Sequence, residues 1–181
     1  MTPYSLAFYV DVVTSGTVLG LRPTDGPEQV TGLLGDGFGE NTPDAHTMWR
    51  DYGMAEFSWV RDSARDPWDG HHFTLQVHRL ASGDAATVND VLRARYGRFG
   101  RRLRFAKLRT LLERRGVPLV EITHPANAPH YQEFWQPESR VSIMVVGTRA
   151  EYITPSALRS GDVYRISGVL PAAVVEARRK G

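Results

Sequence analysis

Two stretches with a period-two apolar pattern constrain this chain most. In "MWRDYGMAEFSWV" (48–60), Ala55, Phe57 and Trp59 fall on one side, and Met54, Glu56 and Ser58 on the other. In "HHFTLQVHRL" (71–80), Phe73, Leu75 and Val77 alternate with His72, Thr74, Gln76 and His78. Successive side chains of a strand point to opposite faces, so each stretch reads as one strand with one buried face. The polar run "RDSARDPWDG" (61–70) lies between them and reads as a turn, which makes the pair an antiparallel hairpin.

The apolar face of such a hairpin has to be covered, and the flanking sequence supplies both helices and further strands. "SLAFYVDVV" is nearly continuous in apolar character and reads as a central first strand, with "TVLGL" extending it or pairing beside it. Next comes a short helix over "PEQVTGLL". Asp25 and Glu28 have capping-box spacing, Pro27 suits the first turn, Val30, Leu33 and Leu34 form a stripe, and Gly35 is the stop. "DGFGENTPDAHT" (36–47) reads as a loop. Helices are expected over 87–96, with Thr87 as the cap, and over 103–115, where Leu103, Leu108, Leu111 and Leu112 share a face and Gly116 ends the run. "PLVEI", "YQEFW", "RVSIMVVG" and, more weakly, "DVYRIS" read as strands, and "PAAVVEARR" as a terminal helix. The expected architecture is α+β, a single domain over 1–181. Its sheet is largely antiparallel, with two or three helices packed on one face, and a candidate seam lies at Ser82–Gly83–Asp84. No internal repeat is visible.

Charge is distributed unevenly. Residues 1–92 carry 13 acidic against 5 basic side chains, whereas residues 93–115 carry 10 basic side chains against Glu113 alone. An acidic half and a basic segment bear directly on partners. With no cysteine, disulfides and thiolate metal sites are excluded, which fits a cytoplasmic protein. No apolar run approaches the ~18 residues needed to span a membrane, and the N-terminus lacks a basic leader region.

The order of a glycine, a capped helix with "EQV" and "LLG", a loop and then the hairpin "YGMAEFSWV … HHFTLQVHRL" covers about residues 17–80. It resembles the helix–loop–hairpin unit of small inhibitor and assembly modules of the β-lactamase-inhibitor-protein and outer-membrane small-lipoprotein type. It is also similar to uncharacterised actinobacterial proteins found as immunity partners of secreted toxins. The lactamase inhibitors carry two such units, whereas this sequence presents one, and it has neither a cysteine pair nor a lipobox. The resemblance implies a protein-binding module that grips another protein through a sheet face or loops.

Recognisable catalytic chemistry is missing. There is no GxSxG elbow, no HExxH and no thiol, and "GDGFG" (35–39) follows a helix instead of a strand, unlike a phosphate loop. His71 and His72 are adjacent, so a strand sends them to opposite faces. The expectation is therefore a non-enzymatic chain with no cofactor and no metal. Two binding readings remain. The first is a toxin-neutralising immunity or inhibitor protein whose acidic face meets a basic partner protein. Its candidate residues are Asp36, Glu40 and Asp44 in one loop and Asp66, Trp68 and Asp69 in the next, with Glu56 and His72 on the outward strand face. Trp68 is either tucked down as a local plug or offered outward. The second is nucleic-acid binding through the basic segment, using Arg98, Arg101, Arg102, Arg104, Lys107 and Arg109, with Tyr96 and Phe99 interleaved for stacking.

Overall fold

The computed structural model describes residues 3–125, 127–148 and 158–180. Helices α1 (Pro3–Ser15) and α2 (Pro27–Leu34) precede strands β1 (Gly39–Asn41), β2 (Thr47–Asp51), β3 (Ala55–Val60) and β4 (Asp69–Leu75). Two 3-10 turns (Val77–Ser82 and Ala85–Thr87) then lead to α3 (Asp90–Tyr96) and α4 (Phe105–Arg114). Strands β5 (Val120–Glu121), β6 (Tyr131–Gln136), β7 (Val141–Val146) and β8 (Val163–Gly168) follow, and α5 (Ala172–Lys180) closes the chain.

The strands form one eight-stranded sheet in the order β1-β2-β3-β4-β8-β7-β6-β5, and every pairing is antiparallel. This order is palindromic. Two units of the same composition, helix–helix–four strands, join through their last strands, with Phe73 opposite Gly168, Thr74 opposite Ser167 and Leu75 opposite Ile166. The sequence presented one helix–loop–hairpin unit, over about residues 17–80, and no repeat. The second is hidden because its residues do not repeat those of the first, even though both units shift register after the fourth residue of their third strand, at Ser58/Trp59 and Met144/Val145. Ser82, Gly83 and Asp84 lie where the first 3-10 turn gives way to the second, on the connection from β4 to α3. The two edge strands are only three and two residues long, which limits pairing with a foreign edge.

The α+β class and the antiparallel sheet match the expectation, but more helices are present. The main change is at the N-terminus. "SLAFYVDVV" is not a strand but most of α1, and Ser5, Phe8, Tyr9, Val10, Val12 and Val13 are all buried. A helix buried around most of its circumference shows no 3.6-residue period, so its apolar run imitates a central strand. Helices α1 to α4 cover one sheet face. Val30, Leu34, Leu92, Leu108 and Leu112 of α2 to α4 join Phe57, Trp59, Phe73, Ile143 and Ile166 of the sheet in one continuous core. Helix α5 lies on the opposite face. Val175 packs on Ile122 and Trp135, whereas the alternate residue Phe134 stacks on Phe105 of α4 at 4.4 Å.

Smaller corrections have local causes. The single strand expected over 48–60 is β2 and β3, joined by a tight turn at Gly53. Gly53 has φ +90°, and a Cβ there would fall 2.5 Å from the Thr87 carbonyl oxygen. Met54, expected to face outward, is buried beside that turn, where the alternation lapses. The loop expected over 36–47 contains β1, hydrogen-bonded to β2. The strand over 71–80 ends at Leu75, and Val77 onward coils into a 3-10 turn. Asp25 does not cap α2. Its carboxylate accepts from the Arg22 N–H at 2.7 Å, and Gly26 stands at the cap position. Asn89, not Thr87, caps α3. Its side chain accepts from the Val91 N–H and donates to the Leu34 carbonyl, tying α3 to the end of α2. The weak strand "DVYRIS" is β8, at the middle of the sheet.

Candidate functional site: an uncovered sheet face

The face of the sheet turned away from α1 to α4 is covered unevenly. Over the second unit it is closed, and Tyr131, Glu133, Trp135, Ser142, Met144 and Val146 are each no more than 9% exposed. Val175 of α5 lies over Trp135, Leu158 packs on Val146, and the Trp135 indole donates to the Leu170 carbonyl at 3.1 Å. Over the first unit the same face is half open. Register places Trp49, Ser58 and His72 side by side across β2, β3 and β4, with Asp51, Glu56 and Thr74 in the next row and Ser167 continuing it on β8. Trp49, Ser58 and His72 are half-exposed, and Val60 at the end of β3 is 37% exposed.

Electrostatics on this face are largely settled within the fold. Arg79, from the first 3-10 turn, donates to Asp51 at 2.8 Å, to Glu56 at 2.5 Å and to the Gly53 carbonyl at 2.7 Å. Gln76 donates to the other Glu56 oxygen at 2.6 Å. Glu56 is thus already partnered twice, which favours a positioning role over a free anion. The His72 imidazole is biased towards its neutral form. Burial pushes its pKa below the ordinary histidine value, and His71 and Arg165 push in the same direction. Ring nitrogens of His71 and His72 meet at 2.7 Å, so one donates and the other accepts. Adjacent strand residues were expected on opposite faces. The register shifts between Ser58 and Trp59, leaving His71 as the extra residue of a bulge, and this brings the rings together. Among the described residues no group of three or more histidines, aspartates and glutamates is placed to hold a metal ion.

The two acidic loops converge in part. Residues 42–46 and 61–68 adjoin at one end of the sheet. The Arg61 N–H donates to the His46 carbonyl at 3.0 Å and the Arg61 side chain to the Ala45 carbonyl at 2.7 Å. Asp44, Asp62, Asp66 and Asp69 are exposed here. The His46 N–H holds the Asp44 carboxyl below the usual range. Trp68 is half-buried against the core, and the Arg61 guanidinium lies 3.9 Å above its ring, so its outer face is capped by the protein itself. Asp36 does not join this cluster. It lies at the other end of β1, near the Tyr52–Gly53 turn. Glu40 projects to the helix side, where Arg50 holds it at 2.9 Å.

The basic segment is mostly engaged inside its own unit. Arg102 and Arg104 both reach Asp162, whose side chain is fully buried, at 2.6 and 3.2 Å. Arg109 pairs with Glu113 at 2.8 Å. Tyr96 and Phe99 turn inward, where Phe8 contacts both rings and Tyr9 contacts Phe99. Lys107 is exposed on α4, and Arg98 and Arg101 line a groove beside α3. Sequence reasoning missed Trp49, Val60, Arg165 and Ser167 on the open face. A turn at Gly53 would have revealed Trp49, because it restarts the alternation on β2.

No helix among the described residues is long and apolar enough to cross a membrane. Comparison with protein-family models, curated proteins and solved structures finds no match to this chain.

Proposed function

We propose that this chain is a non-enzymatic protein-binding module of the toxin-neutralising or inhibitor kind, which holds a basic partner protein. One observation carries the reading. The outer sheet face is closed over one unit and half open over the other, where Trp49, Ser58 and His72 are partly exposed, Val60 is 37% exposed and acidic loops lie at the end. A half-exposed tryptophan among small polar groups, with backbone hydrogen bonds already satisfied by the sheet, suits a rigid interface core. The exposed aspartates around it would speed encounter with a positively charged partner. The nucleic-acid reading is weaker, because Arg102, Arg104 and Arg109 are ion-paired and the aromatic rings are turned inward.

The test is capture of a stoichiometric partner by tagged protein from nuclease-treated host lysate, repeated with two variants. Ser58→Arg fills the open face between Trp49 and His72. The triple variant Asp62→Lys, Asp66→Lys, Asp69→Lys reverses the loop field. The reading expects Ser58→Arg to abolish capture and the triple variant to slow association. A partner retained equally by both, or released by nuclease, refutes it.

A further inference from the structure

A groove of about 480 Å³ runs along the joint between the two units, away from the open sheet face. Leu80, Val88 and Phe99 give it an apolar floor, and Arg93, Arg98 and Arg101 line its sides. Two of these guanidinium groups are placed by the backbone. Arg93 donates to the Val88 carbonyl at 2.8 Å. Arg101 lies directly over Gly83, where a Cβ would come within 2.7 Å of its guanidinium nitrogens. A side chain at position 83 would push the Arg101 guanidinium, the mobile end of a flexible side chain, out of this position. One carboxylate, Asp84, is also in the lining, and it is occupied in accepting the Ala86 N–H at 2.9 Å. Asp90 touches Arg93 at 3.8 Å from outside, with its side chain 97% exposed.

We infer that this groove binds a small organic phosphate, with the phosphate on the arginines and a planar or apolar body on Leu80, Val88 and Phe99. Three guanidinium groups face Asp84 in the lining and Asp90 just outside it, an excess of one positive charge that favours an anion. The planar fork of arginine suits phosphate oxygens, and the volume is in the ordinary range for small-ligand sites. This site is independent of the partner-binding face.

The experiment is calorimetric titration of the full chain with phenyl phosphate, adenosine 5′-monophosphate, inorganic phosphate and benzoate at physiological salt. Phenyl phosphate and the nucleotide should bind at one saturable site, more tightly than inorganic phosphate or benzoate. Arg101→Gln and Arg98→Gln should each weaken that binding by about 10-fold or more, as expected for a lost charge-assisted hydrogen bond. Gly83→Ala keeps every charge but displaces Arg101, and should weaken binding while circular dichroism stays native. Lys107→Gln, on α4 outside the groove, should change nothing. No saturable binding by about 10 mM ligand would overturn the inference. So would equal loss in Lys107→Gln, or unchanged affinity in both arginine variants.

Discussion

Asp162 separates a structural from a ligand-binding role for the central arginines. Its carboxylate is fully buried and accepts three hydrogen bonds, from Arg102 at 2.6 Å, Arg104 at 3.2 Å and the Arg159 N–H at 2.8 Å. Beside it, the Phe105 N–H donates to the Gly161 carbonyl, so the group fixes the start of α4 against the start of β8. Asp162→Asn removes the charge but keeps one acceptor. Both arginines are partly exposed, at 29% and 48%, and can turn their charge to water. The cost should be about 2–3 kcal/mol, at or below the low end for a broken buried pair. Arg102→Gln should cost as much or more, because it strips the shorter bond from a carboxylate that cannot reach water. Arg104 is nearly half exposed, so Arg104→Gln should cost about 1 kcal/mol or less. Urea denaturation at neutral pH measures all three, with an unchanged m-value as the check that only stability moved. If Asp162→Asn and Arg102→Gln each cost under about 1 kcal/mol, the pair is not structural and the arginines are available for a ligand after all.

Two further outcomes follow from the site. Gly70→Ala should destabilise by about 2 kcal/mol or more, since the new methyl would fall on the Pro23 carbonyl oxygen and within 2.6 Å of Thr24 Cα, all backbone that cannot swing away; a thermal melt equal to wild type would contradict this. His72 has its pKa lowered by burial first, then by His71 and Arg165. The folded state therefore takes up its proton at lower pH than the unfolded state does. The stability from neutral His72 is present above the unfolded histidine value and is lost as pH falls below it towards the folded value. His72→Gln should flatten the fall in melting temperature on mild acidification, and an unaltered slope would remove His72 from the account.

The sequence made parts of this fold legible for identifiable reasons. The β3–β4 hairpin was readable because Ala55, Phe57, Trp59, Phe73 and Leu75 face a core while Glu56, Ser58 and His72 do not. Helix α4 was readable because Leu108 and Leu112 are buried and the arginines beside them are not. Helix α1 was misread because burial on most sides removes the period. Strand β8 looked weak because Tyr164, Arg165 and Ser167 belong to its outer side, although the strand is central. The site was harder. Glu56 and His72 were placed on the outer face correctly, but the partners that hold Glu56, Arg79 and Gln76, come from a segment that pattern reading extended as strand. Asp162 gave no signal, because a lone aspartate before a strand has no period, and its value depends on two arginines about sixty residues away.

The uneven charge of the chain follows the two units, and the ion pairs do not cancel it. Arg102 and Arg104 pair with Asp162, Arg109 with Glu113, and Arg93 with Asp90, all within the second unit. Arg115 crosses to Asp11 of α1, but it does so at 3.4 Å between two half-exposed side chains, a contact that contributes little. In the first unit, Arg50 pairs with Glu40, and Arg79 of the first 3-10 turn pairs with Asp51 and Glu56, so two arginines engage three strand carboxylates. The loop aspartates at 44, 62, 66 and 69 are exposed at the surface. Their field is therefore an outward one, at the end of the same face that α5 leaves open. The second unit indicates what such a face accepts. There Val175 seats between Ile122 and Trp135, and the chain just before α5 gives the Trp135 indole a carbonyl. Trp49 has the corresponding chemistry on the open unit. A partner that inserts an apolar side chain beside Trp49 and brings positive charge to the loop end would complete the first unit as α5 completes the second.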